Sequence, residues 1–137
     1  MNHRIILRIA AVVAVLYGII LVAAPNTLMS MYRSQLLDGS GFYFAMLSGA
    51  MLLGWGAMNW AASNAPEIAE IHYVLLGNLV AQAVSLLVTL YRQLSFAGAP
   101  QSGWLNVAIF LVFTALFGWL YLSSPAGYRL HARPRTA

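Results

Sequence analysis

Residues 9–32, 39–66, 71–91 and 93–128 contain no Asp, Glu, Lys or Arg. Each stretch is at least as long as the ~20 predominantly apolar residues that cross a hydrocarbon core about 30 Å thick. Charged residues make up 7% of the chain, against roughly 25% in soluble domains, and hydrophobic ones 61%. These stretches predict one all-α domain, an integral membrane four-helix bundle with spans at about 5–24, 42–62, 68–91 and 104–123 and a basic tail over 124–137.

Local signals set the boundaries. The first span should stop at Pro25, because a residue preceding proline is pushed out of the α region. It has the basic and apolar regions of a secretory signal, yet its apolar stretch from Ile9 to Ala24 exceeds the usual core of roughly 7–15 residues, so it reads as a retained span. In "NTLMSMYRSQLLDGSG", Leu28, Met29, Tyr32 and Leu36 recur at helical spacing, which predicts a short helix in the headgroup layer, ended by Asp38-Gly39-Ser40-Gly41. Small residues in the second span, Ala45-xxx-Gly49 and Ala50-xxx-Gly54, would let two helix backbones approach, with Trp55 and Trp60 facing outward. Pro66 should lie in the first turn of the third span, with Glu67 and Glu70 complementing its positive end. "RQLSFAGAPQSG" is a loop by its Gly, Pro and Ser content.

The same sequence removes several chemistries. With no cysteine there is no thiolate nucleophile, dithiol redox pair or thiolate metal site. All seven basic residues are arginines near span ends, without the basic face that nucleic acid would require. Glu67, Glu70 and His72 are the one cluster of ligand-type side chains, but His72 points away from the glutamates' face and no second Glu-x-x-His exists, so no metal is expected. Asp38 falls on the opposite side of the predicted membrane from the histidines, so no Ser-His-Asp set can form and no catalytic residue is assigned. Five arginines (Arg4, Arg8, Arg129, Arg133, Arg135) flank one side against Arg33 and Arg92 on the other, which predicts both termini in the cytoplasm of a bacterial inner membrane.

The most chemically informative stretch is "NLVAQAVSLLVT". Asn78, Gln82, Ser85 and Thr89 fall on one helical face within roughly 60°. In hydrocarbon an unsatisfied amide or hydroxyl costs several kcal/mol, so this seam should face the bundle interior. It either bonds to neighbouring helices, with Ser48, Asn59, Asn106 or Thr114 as partners, or lines a cavity. The candidate ligand-lining residues are therefore Asn78, Gln82, Ser85, Thr89, Ser48 and Asn59, and the candidate lipid-headgroup residues are Arg129, Arg133 and Arg135. No ionisable residue lies at mid-depth, which disfavours a proton pump or ion-coupled carrier.

"LYGIILVAAP", an amphipathic connector and "FAMLSGAMLLGWGAMNWAAS" together resemble small four-span bacterial membrane proteins of the DoxX-like kind. That resemblance implies a four-span fold and, for some relatives, quinone-linked oxidation. It also implies a basic residue entering the second span, where this chain has Met46. The expected role is a non-catalytic accessory or lipid-interacting component, whose partners are membrane lipids and either another membrane protein or a second copy. The alternative is a quinone- or small-molecule-binding protein, acting as a redox partner subunit or minor transporter through the polar seam.

Overall fold

The computed structural model describes residues 2–124. Its order is α1 (His3–Ala23), α2 (Pro25–Met31), α3 (Gly39–Ala62), a 3-10 turn (Ile68–Ile71), α4 (His72–Ser95) and α5 (Gly103–Ser123). The four long helices are long and apolar enough to cross a membrane.

Several ends are set by chemistry that the spans alone did not reveal. The Asn2 side chain accepts from the Arg4 N–H at 3.1 Å and starts α1. Asp38 does not terminate the short helix; it caps α3, accepting from the Gly41 N–H at 2.7 Å and the Ser40 hydroxyl at 3.0 Å, so that α3 starts at Gly39, ahead of the expected position. Those bonds to the charged form hold the Asp38 carboxyl below its ordinary range. Helix α2 begins with Pro25 in its first turn, where the missing N–H costs nothing, and ends at Met31, leaving Tyr32 and Leu36 outside it. Pro66 precedes the 3-10 turn instead of opening a helix.

The long helices associate as two pairs, α1 with α3 and α4 with α5. An alanine-like Cβ on Gly18 would lie 2.9 Å from the Gly49 carbonyl oxygen, and one on Gly56 would lie 3.1 Å from that of Ala11. The pairings 18 with 49 and 11 with 56 run in opposite directions, so α1 and α3 are antiparallel at backbone contact distance. Ala50 and Gly54 do not share that seam: Gly54 has open space around it and both residues are exposed. Helix α3 thus uses one of its two expected small-residue pairs inside the fold.

Ile6, Leu7 and Ala10 of α1 join the pairs by packing with Ile71, Leu75, Phe113, Phe117 and Leu120 in one buried cluster. This cluster fills the half of the bundle nearest the amino terminus, called here the proximal half. At that end His3 and Arg4 reach the Ala65 carbonyl, Arg8 reaches Ser63 and Asn64, and the Arg8 guanidinium lies 5.6 Å from the Trp60 ring centre. The distal half, around the α2 to α3 and α4 to α5 loops, is held by polar contacts and has an open space of about 710 Å³, while an apolar groove of about 440 Å³ runs between α1 and α3 beside Val15, Gly56 and Trp60.

Candidate functional site

Polar groups occupy three levels inside the bundle. In the proximal half, Asn59 and Asn78 form a reciprocal amide pair. Asn78 donates to the Asn59 carbonyl oxygen at 2.8 Å and accepts from the Asn59 amide at 3.1 Å. The Trp55 indole N–H also donates to Asn78 at 2.8 Å, and Asn78 donates to the Val74 carbonyl at 2.8 Å. Trp55 therefore turns inward, contrary to the outward orientation expected of it, because its N–H completes this network. Both asparagines are buried and hydrogen-bonded to each other, so they pin α3 to α4.

At mid-depth the accounting does not close. The Gln82 carbonyl oxygen and the Thr114 hydroxyl are buried without hydrogen-bond partners. Gln82 borders a cavity of about 110 Å³ between the two helix pairs, with Tyr17, Leu52, Asn106, Phe110 and Phe113 among its walls. At roughly 30 Å³ per water, this space suits a few waters or a short alkyl segment. A drug-sized site needs about 300 Å³ or more, so this space is smaller than a ligand of that size fills.

An unmade buried acceptor costs about 1–3 kcal/mol. Gln82→Met, which keeps the shape and removes the amide, is therefore expected to stabilise the chain by about 1 kcal/mol. Thermal unfolding in mild detergent checks this, and a loss of stability would mean that the amide has a partner.

The rest of the expected seam divides by depth. Thr89 bonds back to the Ser85 carbonyl at 2.7 Å, a local solution within α4. Ser85 and Thr89 are half-buried on the interior side. Ser48 is exposed and bonds to the Phe44 carbonyl at 2.8 Å within its own helix, so it is not part of the interior. The headgroup candidates Arg129, Arg133 and Arg135 lie outside the described residues.

The distal level was missed in sequence. The Tyr32 hydroxyl donates to Asn106 at 2.8 Å and pairs with the Tyr17 hydroxyl at 2.8 Å, while the Ser102 hydroxyl donates to the Tyr32 carbonyl at 2.7 Å. Burial first, and then the Tyr17 hydroxyl, push the Tyr32 phenol upward, which keeps it neutral. One residue, Tyr32, thus bridges α1, α2 and α5. These partners lie at sequence separations of 15 and 74, where helical periodicity carries no signal.

Asn106 also forms part of the wall of a distal chamber of about 710 Å³, together with Arg33, Thr89, Arg92, Gln93 and Phe96. Gln93 donates to the Pro100 carbonyl at 3.0 Å and ties the loop to α4. The Arg92 guanidinium lies 4.8 Å from the centre of the Phe96 ring. The chamber is basic, has hydrogen-bonding side chains, and contains no carboxylate in its wall.

Residues 2–124 match a family model described as Domain of unknown function (DUF8292). No curated protein and no solved structure matches the chain.

Proposed function

We propose a role for this chain, which belongs to the DUF8292 family, as a non-catalytic, lipid-interacting multi-pass protein of a bacterial inner membrane, with both termini in the cytoplasm. The observation that carries the reading is an inverted surface. On α1, Ile5, Ile9, Val12, Leu16 and Ile19 form an exposed stripe, as do Leu76, Val80, Val84 and Leu87 on α4, while Asn59 and Asn78 are buried. Water would penalise such stripes at about 25 cal/mol per Å² of apolar surface, whereas acyl chains would not. Tyr73 and Tyr91, exposed towards the two ends of α4, suit the interfacial belts in which aromatic side chains gather.

Kinship with DoxX-like proteins is part of this proposal, supported by the order of four spans with a short helix between the first two. The accessory role has support in the exposed small face of α3, formed by Ala50, Gly54, Ala57 and Ala61, where a partner helix or second copy could approach closely. Quinone binding at the polar seam gains less support, since the space beside Gln82 is about 110 Å³.

The cysteine-free chain makes topology directly measurable. Ser34→Cys and Gln101→Cys are expected to react with an impermeant maleimide in intact cells, and Asn64→Cys only after permeabilisation. Gly54→Cys in the same set would cross-link on oxidation if a second copy lies against α3. The opposite labelling pattern would invert the topology, and recovery of the chain in the soluble fraction would end the membrane reading.

A further inference from the structure

Two exposed arginines stand on the wall of the distal chamber, and among the described residues no acidic side chain lines it. The sequence contains three acidic side chains. Glu67 and Glu70 belong to the proximal end, and the remaining one, Asp38, is engaged in capping α3. Arg33 and Arg92 nevertheless line the same space, reached from different elements: Arg33 follows α2 and Arg92 lies in the last turn of α4. Complementing a helix dipole accounts for one basic residue near each carboxyl end, but not for their convergence on one chamber.

The backbone at Arg33 adds an independent observation. Helix α2 ends in a Schellman motif: the Ser34 N–H donates to the Met29 carbonyl at 2.9 Å and the Arg33 N–H to the Ser30 carbonyl at 3.0 Å. Arg33 holds the left-handed position of that motif, with φ of 52°, the one positive φ among the described non-glycine residues. Glycine is the usual occupant of this position because a Cβ is disfavoured there. An arginine here retains a strained backbone while the exposed residue lines the chamber, as expected where local stability has been exchanged for function.

We infer that this chamber binds a phosphate-class oxyanion between Arg33 and Arg92. Guanidinium groups bind such oxygens through paired, charge-assisted hydrogen bonds. Ser34 and Gln35 on the same wall offer further donors, and Phe96 supports the Arg92 guanidinium from one face. Val88 and Phe96 give the chamber an apolar side, which suits an oxyanion attached to acyl chains as well as a free one. The inference rests on the lipid-interacting reading and specifies its chemistry.

The full chain, purified in a neutral detergent, is titrated with dihexanoyl phosphatidylglycerol, dihexanoyl phosphatidylcholine and inorganic phosphate, following the rise in unfolding temperature. The anionic lipid is expected to bind at least about tenfold more tightly than the zwitterionic one, and Arg33→Gly and Arg92→Gln should each weaken it by about tenfold. Without ligand, Arg33→Gly should melt no lower than the wild type, because glycine suits the left-handed position; this separates lost binding from lost folding. Stabilisation by inorganic phosphate as well would identify the free oxyanion as sufficient, and stabilisation by the anionic lipid alone would identify a headgroup with its chains; either supports the site. Wild-type affinity for the anionic lipid in both variants overturns the anion site and leaves the lipid-interacting reading standing. Absence of binding by all three probes overturns the site too, whereas recovery of a water-soluble chain in the topology experiment overturns the reading beneath it.

Discussion

Gly49→Ala is expected to destabilise the chain by about 3 kcal/mol, at the upper end of the usual cost of overpacking a core. The added methyl would lie 2.8 Å from the Gly18 carbonyl oxygen, 2.9 Å from the Leu21 Cβ and 2.9 Å from a Val22 methyl. The Gly18 oxygen and the Leu21 Cβ cannot rotate away, since they belong to the backbone or its first side-chain atom within α1. Relief requires moving α1 off α3, along the seam that also includes Gly18 and Gly56. At Gly56 the nearest obstacle is a Val15 methyl at 2.6 Å, a side-chain end that can adjust, so Gly56→Ala should cost less. Gly54→Ala is the matched control: nothing lies within 4 Å, and alanine should favour the helix by about 1 kcal/mol. Unfolding of the detergent-purified variants should place Gly49→Ala well below wild type and Gly54→Ala at or above it. Equal midpoints for these two would contradict the close approach of α1 and α3.

The second large effect is expected at Asn78. Asn78→Leu removes two bonds from Asn59 and one from Trp55. Interhelical hydrogen bonds in membranes average about 0.6 kcal/mol each, and every buried polar group left unpaired adds about 1–3 kcal/mol. Roughly 3 kcal/mol of destabilisation follows, most of it from the stranded Asn59 amide and Trp55 N–H rather than from the bonds themselves. The double variant Asn59→Leu, Asn78→Leu strands fewer groups, so it should be less destabilised than the sum of the single variants. A double-mutant cycle by thermal unfolding measures that difference. Strict additivity would mean that the two amides do not act as a pair.

Much of this architecture was legible in the one-dimensional pattern. Charge-free stretches located the four long helices, and the recurrence of Asn78, Gln82, Ser85 and Thr89 marked the interior side of α4. Asn59 was identifiable as a possible partner by residue type. The same reasoning placed Ser48 beside it, although Ser48 is exposed and bonds within its own helix. Residue type and approximate depth do not specify rotation about a helix axis. Helix α3 is apolar or small almost all round, so its sequence offers no preferred face.

What the sequence determined by itself was where a helix must be long and apolar, because that property is summed along consecutive residues. It also exposed the amide periodicity of α4, because 3.6 residues per turn converts spacing directly into a face. Tertiary structure decided which small residues met, that Trp55 turned inward, that Tyr32 linked α1 to α5, and that Arg33 and Arg92 came to one chamber. These outcomes depend on helix rotation and on contacts between residues far apart in the chain, which are set by the packing of whole surfaces and leave no periodic trace along the sequence.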